Sequence, residues 1–562
     1  MRSRLTAGAG FLALAVAALT APAIAWSMSA RSTPEVPRTR LPAVTDHKTD
    51  VPIRSADVSA PGGAPVAAPP PDTRTAGPDE DGRPAESPPD TRRLPATSPA
   101  AALPSSGFPL GEAGAIDKTV KHVAPGLDYI TLRHGKPADG YSVSVVIGGK
   151  DAFRKGTAQA QALAVQAAGF SPTFVRFTRP AVADYPAADL WMVRVGAWPL
   201  SEKVEAERVV KRLKDAGISA KVDFEGDDGF VTDGPWTVRV LMIDPRAFKG
   251  SVRASLGAGV AQRETVSAMA AADKAIAAVN GGFFDIHTLR EFSGDPTGIS
   301  VVNGKLLSEA VPGRTGLVMV GRQARVTELS TSVTATADNG AAQAVGGLNR
   351  LPRTGELVMY TKELGRSTPA DHGVEAVLDA SGAVLKVRNA GGRVARGTRV
   401  LHGVGAAAAW LDEHAAKGRT IDVTTEVTDL RTHRAIPLTP DTSIIGGAIG
   451  LVRDGETSIT AARDGMANNN MIVRRHPRTL AGVTVSGVLI LAVVDGRAPG
   501  TAVGASFYES AELMRWLGAR DAMNLDGGGS STMVIGRKVV NRPSDGTERG
   551  VGDALLVVRG GS

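Results

Sequence analysis

The sequence predicts an α+β fold, with a large β-rich mixed-sheet domain into which a small ferredoxin-like (βαβ)2 domain is inserted. Three observations point there. From residue 229 to 562 runs of β character dominate, as at 317–320, 356–360, 421–427 and 487–494, and helical patterns are confined to 264–272, 406–416 and 509–517. Between residues 138 and 228 the order strand, helix, strand occurs twice. The strand at 127–133 lacks a local partner, whereas Trp236-Thr237-Val238-Arg239-Val240-Leu241-Met242-Ile243 reads as a strong strand just past the small domain. The small domain is therefore expected behind the first strand region, 112–137, of the large one.

Length and composition bound the rest. A chain of 562 residues holds more than one domain. Its 64 Lys+Arg against 57 Asp+Glu leave a net charge of +7, without a dense basic block interleaved with aromatics, so nucleic acid is excluded as a partner. With no cysteine, disulfides, thiolate metal sites and a cysteine nucleophile are excluded. Arg2 and Arg4 precede an apolar run over 5–24, and Ala23-Ile24-Ala25 places small residues where a signal peptidase reads. Residues 1–25 are expected to be a signal peptide, and the protein to be secreted or envelope-associated with no membrane contact beyond that segment. Residues 26–111, rich in Pro, Ala, Ser, Asp and Arg, read as a disordered linker with too few bulky apolar groups to offset ordering entropy. Order is expected from near Val123.

In the small domain, Tyr141-Ser142-Val143-Ser144-Val145-Val146 alternates as a strand, 152–168 is helical with Gly169 as its stop, and 173–177 is a strand. The second round is a strand at 190–196, a helix capped by Ser201 and ended by Gly217, and a strand at 220–224.

Four clusters in the large domain carry chemistry. In Ala278-Val279-Asn280-Gly281-Gly282-Phe283-Phe284-Asp285 an apolar strand ends in a polar side chain and two glycines, where backbone can approach a ligand; Asp295-Pro296-Thr297-Gly298 follows on a turn. Arg474-Arg475-His476-Pro477-Arg478-Thr479 gathers cations, and a guanidinium suits bidentate capture of phosphate. The apolar run 489–494 delivers Asp495 and Arg497. Asn524-Leu525-Asp526 opens a glycine-rich run, Gly527-Gly528-Gly529-Ser530-Ser531-Thr532, whose amides are expected to form an anion nest. Asp526 stands at its entrance as acid, base or nucleophile. The run lacks the closing Lys of a phosphate-binding Walker loop and the Gly-x-Ser-x-Gly of a serine hydrolase.

Two resemblances follow. The 138–228 segment resembles the SPOR domain through Trp191-Met192-Val193-Arg194-Val195-Gly196-Ala197-Trp198, Glu205-Ala206-Glu207 and Leu213-Lys214-Asp215-Ala216-Gly217. That resemblance implies binding of peptidoglycan glycan strands on the open face of its sheet. The four clusters, with Asn541-Arg542-Pro543-Ser544-Asp545-Gly546-Thr547-Glu548-Arg549, resemble the phosphodiester glycosidase family over roughly 231–558. This implies hydrolysis of a sugar-1-phosphodiester, of the N-acetylglucosamine-1-phosphodiester type, at the anomeric bond. Asp526 is then expected as the carboxylate at the anomeric carbon and Asp495 as the second carboxylate. Arg478, Arg549 and the loop amides would hold the phosphodiester, and Asn280 and Asp285 would orient sugar hydroxyls or a cation. Gly281, Gly282, Asp295, Arg497, Ser530, Ser531, Thr532 and Asp545 complete the expected substrate contacts. No cofactor is required, and a Ca²⁺ held by carboxylates is left open. The competing readings are a glycan-binding scaffold without turnover, a phosphodiesterase that breaks the phosphate bond and, weakest because the nine histidines include no His-Glu-x-x-His, a wall amidase or peptidase.

Overall fold

The computed structural model describes residues 98–286 and 292–560. The signal segment and most of the expected linker lie outside these residues. Among the described residues no helix is long and apolar enough to cross a membrane.

Among the described residues the protein is β-rich, with four sheets and six α-helices: α1 (Lys155–Ala167), α2 (Lys203–Asp215), α3 (Val266–Ala272), α4 (Ala406–His414), α5 (Asn469–Ile472) and α6 (Phe507–Trp516). An eight-stranded antiparallel sheet runs in the order Asp117–Ala124, Leu127–His134, Trp236–Ile243, Leu489–Val494, Arg478–Thr484, Ala519–Asn524, Gly450–Arg453, Glu456–Thr457. A five-stranded antiparallel sheet has the order Lys538–Val539, Met533–Ile535, Ala277–Asn280, Ala554–Val558, Ser251–Ser255. A twelve-stranded sheet fills the middle of the chain and is mixed, because Ala342–Leu348 and Leu357–Thr361 pair parallel.

The first two sheets stack through one buried layer that includes Leu127, Leu241, Ala277, Val279, Leu491, Met523, Leu525, Met533 and Leu555. The apolar runs noted in the sequence supply this layer, and each fully buried Leu, Val or Met in it stabilises by about 1.5–3 kcal/mol. Register fixes what happens at one edge. Arg478 faces Val494, Leu480 faces Asn524, and Asn280 faces Ala554. The C-terminal ends of three strands and the N-terminal ends of two others therefore meet at the same edge.

Strand Leu127–His134 pairs with Trp236–Ile243 across the small sheet that separates them in sequence. It also has a local partner, contrary to expectation, in Asp117–Ala124. That strand is polar and exposed along most of its length, so it carries no apolar signal. The linker expected to reach Gly111 is packed from Ser98 onward. Leu103, Phe108 and Leu110 are buried in the main core, Phe108 sits edge-on to Trp516, and the Trp516 indole donates to Ser106 O at 3.0 Å. A few apolar side chains spaced among prolines suffice to anchor it.

The small sheet has the order Pro172–Arg179, Ala188–Trp198, Tyr141–Val145, Ala220–Phe224, all antiparallel, with α1 and α2 on one face. The expected Ser201 cap is absent: Leu200–Glu202 is a 3-10 turn, and Glu202 precedes α2 without a side-chain cap. The face opposite the helices is not open. Ser142, Ser144, Met192, Arg194, Asp223 and Phe177 lie on it and are all buried. Phe177 packs edge-on against Phe230, Arg194 binds Asp228 at 2.7 Å, and Asp223 receives Arg474 at 2.7 Å. The surface on which the SPOR resemblance implied glycan binding is thus occupied by the protein's own chain.

Candidate active site

At the shared strand edge, the residues singled out in the sequence do come together, in two distinct roles. Three are clamps. The buried Asn280 donates to Asp526 O at 2.8 Å, and its Oδ1 accepts from Thr479 Oγ1 at 2.7 Å and Thr532 N at 3.0 Å. It ties three segments together and has no amide group left to orient a sugar. Asp495 binds Arg239 through one oxygen and accepts Arg542 N at 3.0 Å through the other. Arg478 is buried, stacks 4.1 Å over Phe507, and donates to Ala505 O at 2.8 Å and Met471 O at 2.9 Å. Burial, with Arg497 nearby, pulls its pKa down to about 9. All three hold the site together from behind.

The glycine-rich run also behaves differently from an anion nest. The Gly527 amide donates to Asp526 Oδ1 at 2.8 Å and the Gly528 amide to Pro477 O at 2.8 Å. Ser530 N and Ser531 N close turns onto Gly527 O and Gly528 O. These donors are spent inside the protein. The glycines instead make room for arginines. Gly528 has φ +61°, and a Cβ on it would lie 3.0 Å from Nη1 of Arg497; a Cβ on Gly529 would overlap Arg549 and Asp545. Arg549 is held by Asp545 at 2.5 Å and 2.9 Å and keeps about a third of its side-chain surface exposed. Arg497 is exposed, at φ +53°, and its Nη2 meets His476 Nδ1 at 3.3 Å. His476 Nε2 lies 2.9 Å from Asn470 O, an acceptor, so Nε2 carries the proton and Nδ1 receives Arg497. Burial, with Arg478 and Arg497 nearby, lowers the His476 pKa to about 3, so the ring is neutral in use.

Asp526 faces a partner that the sequence reading missed. Asp553 is buried, and its Oδ1 accepts from Gly282 N at 2.8 Å. Gly281 links the two acids: its amide donates to Asp553 O at 3.0 Å and its carbonyl accepts Asp526 N at 3.0 Å. A Cβ on Gly281 would overlap the Asp553 carboxylate, and one on Gly282 would overlap Gly446 O. These glycines serve to bring the acids together. Burial raises Asp553 to about 7, aided by the negative charge of Asp526 and opposed by the Gly282 amide. Burial raises Asp526 to about 6, against the pull of Ser530, the Gly527 amide, Arg549 and Arg497. The Ser530 hydroxyl approaches that carboxylate without hydrogen-bond alignment, and the hydroxyls of Ser530, Ser531 and Thr532 are all buried and unpartnered. Two buried acids tied to the same glycine pair, each with its pKa raised toward neutrality, are groups able to exchange protons in the working pH range.

Asp285 and Asp295 lie on the next loop, joined by Asp285 N to Asp295 O at 2.8 Å. Burial, then Glu309 and Asp285, raise Asp295 to about 8 while Arg350 opposes. Among the described residues no group of three or more acidic or histidine side chains is arranged to hold a metal ion. A cavity of about 830 Å³ bordered by Arg246, Arg322 and Gly487 contains none of these residues, so titratable groups rather than volume locate the site.

Residues 372–558 match the model of the family described as phosphodiester glycosidase. The chain carries a phosphodiester glycosidase family domain. The match includes Arg497, Asp526, Asp545, Arg549 and Asp553, and stops short of the strand that brings Asn280 and its glycines. Over 109 residues the chain is 37% identical to the SPbeta prophage-derived protein YomE of Bacillus subtilis (strain 168), covering 19% of this chain and 16% of that one. It is 29% identical over 117 residues to mouse N-acetylglucosamine-1-phosphodiester alpha-N-acetylglucosaminidase, covering 19% of this chain and 22% of the relative. The chain thus spans under a quarter of either curated relative. A crystal structure of a Burkholderia pseudomallei K96243 protein designated as exported is 30% identical, with a TM-score of 0.72 over 81% of this chain and 99% of that one. This likeness extends well upstream of the glycosidase domain.

Proposed function

We propose that this chain is an exported hydrolase that cleaves a sugar-1-phosphodiester, of the N-acetylglucosamine-1-phosphodiester type, at the anomeric bond. The reading rests on the Asp526–Asp553 pair set beside Arg497 and Arg549. Two coupled acids are the chemistry of glycoside hydrolysis. Two arginines beside them suit a leaving group that is already anionic.

In the reaction the bond between C1 and the phosphate oxygen breaks and a water oxygen becomes bonded to C1. The departing phosphate monoester is stabilised by Arg497 and Arg549. Its second pKa is about 6, so it leaves with little help from a general acid. Asp526, ionised just above pH 6 and flanked by both arginines, is the carboxylate at C1, as nucleophile or as base for water. Asp553, still protonated where Asp526 is ionised, spares the buried site a second negative charge. Asn280, Arg478 and Asp495 position these groups from behind. The small sheet holds the segment 468–478 through Asp151, Asp223 and Asp227 on Arg474, and so supports the loop that carries His476 and Pro477.

The test uses the purified chain with an alkyl-phosphate ester of N-acetylglucosamine. Free sugar is the expected product. Sugar-1-phosphate would refute the assignment in favour of a phosphodiesterase. No turnover on a panel of such esters, with glycan binding intact, would favour a scaffold.

A further inference from the structure

A second feature lies at the far end of the same strands. A cavity of about 470 Å³ is lined by Lys121 and His122 from the edge strand, Lys274 after α3, Arg537 on the turn after Met533–Ile535, and Arg559 after the last strand. Its lining contains no carboxylate. His122 is offset by Asp128 at 2.6 Å, and among the described residues Lys121, Lys274, Arg537 and Arg559 have no acidic partner. The cavity near Gly487 differs in this respect. There Arg246 is neutralised by Asp244 at 2.8 Å and Arg325 by Asp429 at 3.0 Å.

Four unpaired cations in one concavity focus a positive potential that each alone would lose to solvent. The volume falls within the range of small-ligand sites. No Phe, Tyr or Trp lines the cavity, so neither a base-stacking platform nor interfacial anchoring in a lipid surface is provided for. The fitting ligand is a flexible polyanion bearing phosphate groups. The groove is also tied to the active site. Strand Ala554–Val558 runs from Asp553 to Arg559, six residues of extended chain, or on the order of 20 Å.

We propose that this groove is a second binding site for a phosphate-bearing polymer, holding a distant stretch of the polyanion whose sugar phosphodiester is cleaved at Asp526. The polymer's identity as substrate rests on the function proposed above; the groove's affinity for polyphosphate does not.

The experiment measures binding of long-chain inorganic polyphosphate and of orthophosphate to the full chain and to K121E/R537E/R559E, with R322E as a control for charge reversal outside the groove. All four positions are exposed, so folding is preserved. Polyphosphate affinity is expected to fall at least about tenfold in the triple variant and to change little in R322E. Orthophosphate is expected to bind weakly to every form. Hydrolysis of the small alkyl-phosphate ester should be unchanged in the triple variant, whereas KM for a phosphodiester polymer should rise with kcat retained. Equal polyphosphate affinity in the triple variant and the parent would overturn the proposal. So would binding to anionic phosphatidylglycerol vesicles with no binding to polyphosphate. Loss of small-ester turnover in the parent itself would sink the glycosidase reading while the binding comparison still judged the groove.

Discussion

Asp553→Asn tests the acid pair most directly. Asparagine keeps an oxygen to accept the Gly282 amide and has nearly the same volume, so the change removes the proton and the charge. The magnitude follows from the shift. Asp553 moves from 3.8 to about 7 on burial, roughly three units, and at 1.36 kcal/mol per unit that is about 4 kcal/mol as an upper bound. The folded state holds the proton more tightly than the unfolded chain. Stability is therefore full below pH 3.8 and is lost as pH rises toward 7, because the unfolded chain gives up its proton first. Above pH 7 the native protein carries the whole cost of a buried charge beside Asp526. Asp553→Asn should relieve it. Chemical denaturation at pH 5 and pH 8 is the assay. The variant is expected to gain stability over the parent at pH 8, by about 2 kcal/mol or more, with a smaller gain at pH 5. Its turnover should fall and the alkaline limb of its kcat/KM profile should move. A variant less stable than the parent at pH 8, with an unchanged activity profile, would show that Asp553 is not a buried acid coupled to Asp526.

Asp526→Asn should abolish turnover without lowering the melting temperature at pH 8, because it too removes a buried charge, as product assay and calorimetry would show. Arg478→Lys loses the planar donor set that serves Ala505 O and Met471 O and should cost about 2–4 kcal/mol in urea denaturation; a raised KM at unchanged stability would instead make Arg478 a phosphate ligand. Gly529→Ala pushes Arg549 and Asp545 off the loop, and because both are side-chain ends the fold should survive while kcat/KM drops about tenfold. His476→Gln should leave the pH profile between 5 and 8 unchanged, because the ring is already neutral there.

That the singled-out residues gather at one place was legible in the sequence, but the surroundings of each side chain were not. Apolar runs ending in Asn280, Asp495 and Asn524 mark strand ends, and pairing brings those ends to one edge. Whether a side chain at such an end faces outward depends on partners far away in the chain. Asp495 is taken by Arg239, and Asn280 by Thr479 and Thr532. Asp553 escaped for a geometric reason. It stands before its strand, and attention to strand C-termini passes over it. In an antiparallel sheet, however, alternate strands present their N-terminal ends at the same edge. A Gly-Asp step just ahead of the apolar run Ala554–Val558 was therefore as strong a signal as an acid just after one. The small sheet shows the same limit. Its helices and strands were readable from alternation and glycine stops, but Ser142, Ser144 and Asp223 look like an open polar face until Arg474 is seen against them.

The glycine-rich run works through the side chains around it rather than through its own amides. A nest of backbone amides would hold phosphate by geometry, at little cost in salt sensitivity. Here the amides of Gly527, Gly528, Ser530 and Ser531 are already spent, and the missing side chains of Gly528 and Gly529 are filled by Arg497 and Arg549. The positive charge beside Asp526 therefore comes from guanidinium groups that keep contact with water. They lower the Asp526 pKa against burial, so in the proposed reaction the carboxylate at C1 would be ionised by the same groups that receive the leaving phosphate. Removing either arginine should weaken both functions at once. That coupling explains why a run of glycines, rather than any larger residue, lies between the acid and the hydroxyls of Ser530, Ser531 and Thr532.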